Sequence, residues 1–256
     1  MITKAGLGQL AALVLFAAAW ELAGRFGANS STVLPPLSVV VRTLWNLFGD
    51  AKFRGDVVTT VVEVGTAFCI VAPLSVAVGF FLAETPALAR IVNPYLNSIM
   101  ATPKSLFLPV FILAFGIGFA QKVTFGGTLA FFVIVVTSQA AVRSIPAGFV
   151  TLARSMGATR GQIYRSIYLP AMAPGIISGL RLGLIFVVIG VLSAEMYSAS
   201  SGLGRAIAYW GEYFQMSNLL AAVLLIVIFS VSANAGLSVL ERYAGSNRTE
   251  FLGGVS

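Results

Sequence analysis

The sequence predicts an all-α membrane protein with about six transmembrane helices, organised as a single domain over residues 1–256. Composition is the first observation, because 58% of the residues are hydrophobic and only 10% are charged. Soluble domains carry about 25% charged residues. Length is the second, since a bilayer core of about 30 Å takes about 20 apolar residues per helix and leaves room here for about five to seven spans.

Six apolar segments are the third observation, and each is long enough, or nearly so, to cross a membrane as a helix. They cover residues 7–23, 57–83, 106–119, 123–142, 171–194 and 219–240. Pro103 and Pro109 interrupt the third segment, so we expect this span to begin near Ile91 and to be broken or kinked. The first segment ends in Trp20 and Glu21 and has no small-residue cleavage site, which predicts an uncleaved first span.

A second pattern lies in the polar stretch between the first two spans. After Leu34-Pro35-Pro36, apolar residues recur at helical intervals, at Val39, Val40, Leu44, Leu47 and Phe48. Arg42 and Asn46 lie off this stripe. The pattern predicts either a short amphipathic helix on the membrane surface or a simple covering loop.

The distribution of Lys and Arg predicts the orientation of the chain. If the segment 143–170 faces the cytoplasm, ten of the sixteen cationic residues lie inside. These are Lys4, Arg90, Lys104, Arg143, Arg154, Arg160, Arg165, Arg181, Arg242 and Arg248. Because cytoplasmic loops are enriched in cations, we predict cytoplasmic N- and C-termini. Residues 244–256 are predicted to form a flexible tail.

Missing residue types exclude several functions. The chain has no histidine, which removes the commonest general base and transition-metal ligand, so we predict no catalytic residue and no metal site. The one cysteine, Cys69, is predicted to be a buried thiol within an apolar run. No phosphate-binding Gly-x-x-x-x-Gly-Lys-Ser/Thr loop occurs, so no cofactor is expected in this chain. The net charge of +7 is explained by cations between the spans, and we expect membrane lipid, and no nucleic acid, as a partner.

The longest predicted cytoplasmic segment, residues 144–170, predicts two short helices over about 147–156 and 160–168. A turn is expected at Gly157 and a stop at Pro170. The apolar side chains of this hairpin have no lipid to enter, so they must pack on the spans or on another protein. They are Phe149, Leu152, Ala153, Met156, Ile163 and Ile167.

Gly157, Ile167 ten residues later and the pair Leu169-Pro170 carry a resemblance to a known family. Their spacing resembles the EAA loop of permease subunits of ATP-binding-cassette (ABC) importers. In that family the loop forms coupling helices that dock into a cleft on a cytoplasmic ATPase, which binds ATP and Mg. The resemblance implies an ATPase-coupling role for Ala153, Met156, Gly157, Ala158, Ile163, Ile167, Leu169 and Pro170. The sequence departs from the family at Thr151 and Leu152, where relatives carry a glutamate and the first alanine.

Further motifs follow in the expected order and cover most of the chain. They are Leu34-Pro35-Pro36, Pro103-Lys104, Leu108-Pro109, Phe115-Gly116-Ile117-Gly118, Gly179-Leu180-Arg181, Ala194-Glu195-Met196 and Ser201-Gly202-Leu203-Gly204. The ordered set is similar to the nitrate, sulfonate and taurine branch of these permeases. It implies the type I importer (MetI-like) transmembrane fold and a bacterial inner-membrane location.

The resemblance also implies an assembly and a mechanism. Two permease subunits, identical or different, would work with two ATPase subunits and an extracytoplasmic solute-binding protein. A small solute would pass to the cytoplasm by alternating access. The candidates are a sulfonate, taurine, nitrate or a vitamin precursor.

Charged and small residues inside the apolar segments are candidates for the translocation path. They are Glu63, Lys104, Gly179, Gly183 and Glu195. For Glu63 and Glu195, a pore or gate role and simple solvation at a helix end both remain open. Snorkelling to the interface also explains Lys104, and close helix packing also explains the glycines. Relatives usually carry a basic residue where this chain has Glu63, so no anion-attracting charge is inferred there.

Two other functions are compatible with a polytopic chain. An ion-coupled secondary carrier would need paired acidic residues within the membrane and internal symmetry. The sequence has scattered glutamates and no repeat. A membrane-embedded enzyme would need a catalytic constellation, and the chain has no histidine and no dense acidic or cysteine cluster.

Overall fold

A computed structural model describes residues 4–26, 33–198 and 200–252, and the regular secondary structure in these ranges is helical throughout. The long helices are α1 (Lys4–Phe26), α3 (Ala51–Glu84), α6 (Phe119–Arg143), α9 (Leu169–Ser198) and α11 (Met216–Leu252). The shorter helices are α2 (Leu37–Leu47), α4 (Pro86–Ala101), α5 (Leu108–Phe115), α7 (Ala147–Ser155), α8 (Arg160–Ile163) and α10 (Leu203–Glu212). The predicted all-α class is confirmed.

Four helical segments of the described chain are long and apolar enough to cross a membrane. They are Ala51–Glu84, Phe119–Arg143, Arg160–Ser198 and Met216–Val239. The segments Pro86–Ala101 and Lys104–Phe115 pass the same test together but are bent by 91°. They form a broken fifth span, as the prolines of this region predict. The sixth span, predicted within α1, stays a prediction because part of the side chains of that helix lie outside the described structure.

The stretch after the first predicted span forms a helix, α2, and not a covering loop. Pro36 precedes it in an extended conformation and Val40 is buried. The helix is attached to α1, since the indole of Trp20 donates to the carbonyl oxygen of Pro35 at 3.1 Å. The backbone N–H of Ser38 donates to the carboxylate of Glu21 at 2.9 Å.

The contacts between Cα atoms divide the chain into two compact units. One contains the described residues up to Thr60 together with Glu195–Ile228, and the other contains Val61–Ala194 and the chain from Phe229 onward. Neither unit is a continuous stretch of sequence. The prediction of one domain over residues 1–256 stays a prediction.

The first unit is held by an aromatic chain at the ends of three helices. Phe53 lies 5.7 Å from Phe48 and 6.1 Å from Trp210, measured between ring centroids. Phe53 is almost fully buried. These rings join the end of α2, the start of α3 and α10.

The second unit is built around α6. In the most apolar 18-residue stretch of this helix, 61% of the residues are buried. Its core includes apolar clusters of described residues. They centre on Leu108, Phe125, Leu129 and Ala194, on Leu82, Leu96 and Val135, and on Ala141, Val142 and Met172.

Four glycines of α9 allow that helix to approach α6 closely, as the glycine spacing predicts. A Cβ atom added at Gly190 would lie 2.6 Å from the Cα of Gly126 on α6, and one at Gly175 would lie 2.7 Å from the Cβ of Ala141. Added Cβ atoms at Gly179 and Gly183 would collide with side chains of α6. The glycines are therefore explained by helix packing.

The expectation of a buried cysteine is corrected. Cys69 is exposed on α3, because only a third of the apolar window of that helix is buried inside the chain. Gly202 makes the turn before α10 with φ of +111°, and Gly204 lies in the first turn of that helix. Helix α11 extends to Leu252, residues 253–256 lie outside the described residues, and the flexibility of the tail 244–256 stays a prediction.

Candidate functional site

The segment between α6 and α9 folds into the predicted helical hairpin. Helix α7 ends at Ser155 and α8 begins at Arg160. Gly157 turns the chain between them with φ of +80°, a conformation that side chains with a Cβ rarely adopt. The N–H groups of Gly157 and Ala158 donate to the carbonyl oxygens of Arg154 and Ala153, each at 3.0 Å, and close the end of α7.

The second helix of the hairpin begins with a capping box. The side chain of Thr159 accepts a hydrogen bond from the N–H of Gln162 at 3.4 Å. In return, the side-chain oxygen of Gln162 accepts one from the N–H of Thr159 at 2.8 Å. Two N–H groups that the helix end leaves without partners are thereby bonded.

Pro170 does not stop the second helix, so that prediction is wrong. The chain is helical from Arg160 to Ser198, with a π-helical turn over Tyr164–Tyr168 that leads directly into α9. Pro170 lies two residues after the π-helical turn and donates no N–H to the helix. The wider π turn changes the hydrogen-bond register just before it.

The apolar side chains of the hairpin divide into two groups. Phe149, Leu152 and Met156 are exposed, by 46%, 60% and 79% respectively. Ile163 is buried within the chain, while Ala153, Ala158, Ile167 and Pro170 are half-buried and Leu169 is exposed. One group therefore packs on the chain itself, and α7 presents apolar surface that this chain does not cover.

The π-helical turn is attached to the end of α3. The hydroxyl of Tyr164 donates to the carboxylate of Glu84 at 2.5 Å. The rings of Tyr164 and Tyr168 lie 5.1 Å apart, and the ring of Phe80 lies 5.8 Å from that of Tyr164. The hairpin is thus joined to three spans: α6 and α9 by chain continuity and α3 by side chains.

Glu63, a candidate for the translocation path, is buried and paired with Lys122 at the start of α6. Its other carboxylate oxygen is buried and has no hydrogen-bond partner within the described chain. Solvation at a helix end is therefore excluded as its role. A buried charge is retained only when it is paired or hydrogen-bonded, so each member of this pair depends on the other.

Glu195, the other acidic candidate, is fully buried and binds the start of α10. Its two carboxylate oxygens accept hydrogen bonds at 2.7 Å from the hydroxyl of Thr60 and from the N–H of Gly204. The N–H of Gly202 donates to the carboxylate of Asp56 at 2.7 Å. Helix-end solvation is excluded here as well. The carboxylates compensate the positive end of the α10 dipole and fix the loop that precedes it.

Two basic residues near the predicted cytoplasmic ends are bonded within the chain. Lys104 donates to the carbonyl oxygen of Met100 at 3.2 Å and is half-buried. Arg181 donates to the carboxylate of Glu241 at 2.6 Å and to the side chain of Asn234 at 2.7 Å. Hydrogen bonds from Ser178 and Arg181 hold the pKa of the Glu241 carboxyl below its ordinary value.

The five residues predicted for the translocation path are not brought together as one site in either unit. Glu63 lies in an ion pair, Gly179 and Gly183 face α6, and Glu195 anchors α10. Their role in translocation stays a prediction.

Sequence analysis missed several residues that these contacts depend on. The predicted sites did not include Lys122, Asp56 or Thr60, because single polar residues at the ends of apolar runs are common. A basic partner such as Lys122 could have been predicted from Glu63, since a buried acid requires a partner. Tyr164 and Tyr168 could have been noted as an aromatic pair at helical spacing.

Comparisons with known proteins identify relatives that cover most of the chain. The model of the family described as "binding-protein-dependent transport system inner membrane component" matches residues 75–246. The taurine transport system permease protein of Escherichia coli (strain K12) is 26% identical over 241 residues, which cover 92% of this chain and 86% of the relative. The putative aliphatic sulfonates transport permease of Bacillus subtilis (strain 168) is 25% identical, over 88% of this chain and 82% of the relative.

A third relative is named for a different solute. The formylaminopyrimidine transport permease of Halalkalibacterium halodurans is 25% identical, over 87% of this chain and 88% of the relative. Among solved structures, a chain of the inward-facing MetNI methionine ABC transporter matches with a TM-score of 0.60 and 24% identity. The match covers 81% of this chain and 97% of that chain, and it confirms the type I importer transmembrane fold.

Proposed function

This chain belongs to the family of binding-protein-dependent transport system inner membrane components and is a permease subunit of an ABC importer, and we propose that it carries a small sulfonate from an extracytoplasmic binding protein into the cytoplasm. The observation that carries the import function is the family match over residues 75–246. The chain itself performs no covalent chemistry, and a separate ATPase binds ATP and Mg and supplies the energy.

The hairpin of α7 and α8 is the ATPase-docking element. Support comes from its exposed apolar residues Phe149, Leu152 and Met156, because a stable chain does not leave such a surface uncovered without a partner. The turn at Gly157 and the capping box at Thr159 give the hairpin a defined shape. A short helix of defined shape can transmit a rigid-body movement between proteins.

The complete transporter contains two permease subunits, two ATPase subunits and a binding protein. ATP closes the ATPase dimer and moves the two hairpins, and the spans change from inward to outward opening. This chain lies in the inner membrane with both termini in the cytoplasm. The excess of Lys and Arg in the segments assigned to the cytoplasm supports that orientation.

The solute is a small sulfonate such as taurine or an alkanesulfonate. Support comes from the names of two relatives, which transport taurine and aliphatic sulfonates. The third relative transports formylaminopyrimidine, so this vitamin precursor is the competing solute. The net charge of the chain supports neither, because its cations follow the topology rule for membrane proteins.

Reconstitution tests the transport function. The chain is purified with the ATPase and the binding protein encoded beside it, and uptake of taurine, an alkanesulfonate and formylaminopyrimidine into proteoliposomes is measured. We expect uptake of a sulfonate that requires ATP, stops with vanadate and continues with an uncoupler. Uptake by the isolated chain, sensitive to the uncoupler, would instead identify an ion-coupled carrier. Uptake of formylaminopyrimidine alone would replace the proposed solute.

Proline substitution tests the docking hairpin with a matched control. Ala153→Pro removes an N–H from the last turn of α7 and distorts it. Ala147→Pro places proline at the first position of the same helix, where it is tolerated, and the preceding Pro146 is already extended. We expect Ala153→Pro to lose the ATPase during purification and Ala147→Pro to retain it. Equal retention by both variants would remove the hairpin from the docking surface.

A further inference from the structure

The coupling movement must pass from the hairpin to more than one span if the solute path is to open. Three helices of the second unit are connected to the hairpin. Helix α6 precedes it in the chain, and α9 continues from α8 through the π-helical turn Tyr164–Tyr168. The end of α3 contacts the same turn through side chains, so this contact is a direct route by which the hairpin can move α3.

The contact consists of one hydrogen bond and three aromatic rings. Tyr164 donates to Glu84 at 2.5 Å. Tyr164 and Tyr168, four residues apart, lie on one face of the helix with centroids 5.1 Å apart. The ring of Phe80, one turn before Glu84, lies 5.8 Å from Tyr164 and 6.5 Å from Tyr168. One turn of α3 thus contacts the π-helical turn at two positions, Phe80 and Glu84.

The hydrogen bond between Tyr164 and Glu84 is of the stronger type. Bonds to a charged acceptor are shorter and about twice as strong as those between neutral groups. Glu84 is exposed and Tyr164 half-buried, so their hydrogen bond fills no core. Phe80 and Tyr168 also pack against the apolar cluster of Ala141, Val142 and Met172. The contact therefore joins a surface hydrogen bond to the packed core of the second unit.

The π-helical turn gives this contact its position. A π turn is rare and tends to occur at functional sites. Here it lies between the docking hairpin and the membrane-spanning part of α9. A change in its register rotates Tyr164 and Tyr168 together and displaces the residues that they touch.

We propose that Tyr164, Tyr168, Phe80 and Glu84 form the mechanical link through which the ATPase-driven movement of the hairpin reaches the cytoplasmic end of α3. The inference rests on the proposed function, since it assumes that an ATPase moves the hairpin. These four are positioning residues, because they act on the spans and not on the solute.

A reporter on α3 tests the link without knowledge of the solute. Phe81 is 57% exposed beside Phe80, so Phe81→Cys in a Cys69→Ser background places a single labelling site at the end of α3. The rate of maleimide labelling is measured in the complete transporter, with and without nucleotide trapped by vanadate. We expect trapping to change the rate by about fivefold, the low end of the coupling usual between linked sites.

Tyr164→Phe removes only the hydroxyl, and Tyr95→Phe makes the same change at an exposed tyrosine of α4. We expect Tyr164→Phe to abolish the change in labelling while trapping as much nucleotide as the parent, and Tyr95→Phe to retain it. Glu84→Ala removes the acceptor and should behave like Tyr164→Phe, and the double variant should be no worse than either single one.

Persistence of the labelling change in both Tyr164→Phe and Glu84→Ala would overturn the link. So would an unchanged rate in the parent when nucleotide is trapped. If Tyr164→Phe does not fold, Glu84→Ala alone decides, since Glu84 is exposed. A parent chain that retains no ATPase and traps no nucleotide would overturn the proposed function and the link with it.

Discussion

Gly202 is the residue whose replacement has the clearest consequence. Its φ of +111° is strained for any other residue, and an added Cβ would collide with the carboxylate of Glu195. We expect Gly202→Ala to destabilise the protein by about 1–3 kcal/mol through backbone strain, with a further cost from the displaced carboxylate. Thermal unfolding of the purified chain in detergent measures the change.

A glycine in open space provides the matched control. Gly65 lies within α3, and an added Cβ would meet nothing within 4 Å. Gly65→Ala should therefore leave the unfolding temperature unchanged or raise it slightly, because alanine favours a helix over glycine by about 1 kcal/mol. Equal unfolding temperatures for the two variants would contradict the account of Gly202.

The pair of Glu63 and Lys122 predicts a non-additive result. Lys122→Met leaves a carboxylate buried without its partner, and loss of one member of a buried pair costs about 3–5 kcal/mol. The double variant Glu63→Leu with Lys122→Met removes both charges and should recover most of that loss. Denaturant unfolding of the single and double variants measures the interaction. A double variant as unstable as the two single changes added together would show that the pair is not coupled.

At the residue scale, the sequence identified charges but not their partners. Glu63 and Glu195 were recognised because acids are rare in apolar segments. The sequence could not decide between a pore role and solvation at a helix end for these two residues. Thr60, which donates a hydrogen bond to Glu195, lies 135 residues away along the chain. Such pairing depends on how the helices are placed, and a single sequence carries no direct signal for it.

The contact between α6 and α9 predicts different costs for two similar substitutions. An added Cβ at Gly190 would meet the backbone of Gly126 at 2.6 Å, and a backbone can relax only by moving the helix. At Gly183 the added atom would meet the flexible end of the Ile134 side chain. We expect Gly190→Ala to lower the unfolding temperature more than Gly183→Ala, measured side by side in the same detergent. A larger loss for Gly183→Ala would contradict this packing.

At the scale of elements, long apolar runs were predicted well and one short amphipathic helix was missed. The segments 57–83, 123–142, 171–194 and 219–240 lie within α3, α6, α9 and α11, because about 20 apolar residues permit little besides a helix in a membrane. Helix α10 was missed although apolar residues recur in it at helical intervals, because it contains Gly204 and Gly211 and glycine disfavours a helix. Pro170 was misjudged, because a π turn that accommodates a proline has no recognisable pattern in the sequence.

The whole molecule could be assigned to its family because the motifs occur in a fixed order along the chain. Each motif alone is short, but the ordered set covers both compact units, and the family model matches residues 75–246. The division into two discontinuous units could not be predicted, because it depends on contacts between distant segments. The solute cannot be predicted from these motifs, which indicate the fold and the helical hairpin between α6 and α9.

The orientation of the chain depends on whether α1 crosses the membrane. If α1 crosses, it adds a sixth span to the four continuous spans and the bent one. An even number of spans places both termini on one side of the membrane. The distribution of Lys and Arg assigns that side to the cytoplasm. We expect tags at either end, and a cysteine at the exposed Met156 in a Cys69→Ser background, to react only with reagents that enter the cell. An N-terminal tag reached from outside while the C-terminal tag stays protected would leave five spans. A cysteine at position 156 labelled from outside would place α7 beyond the reach of any cytoplasmic ATPase.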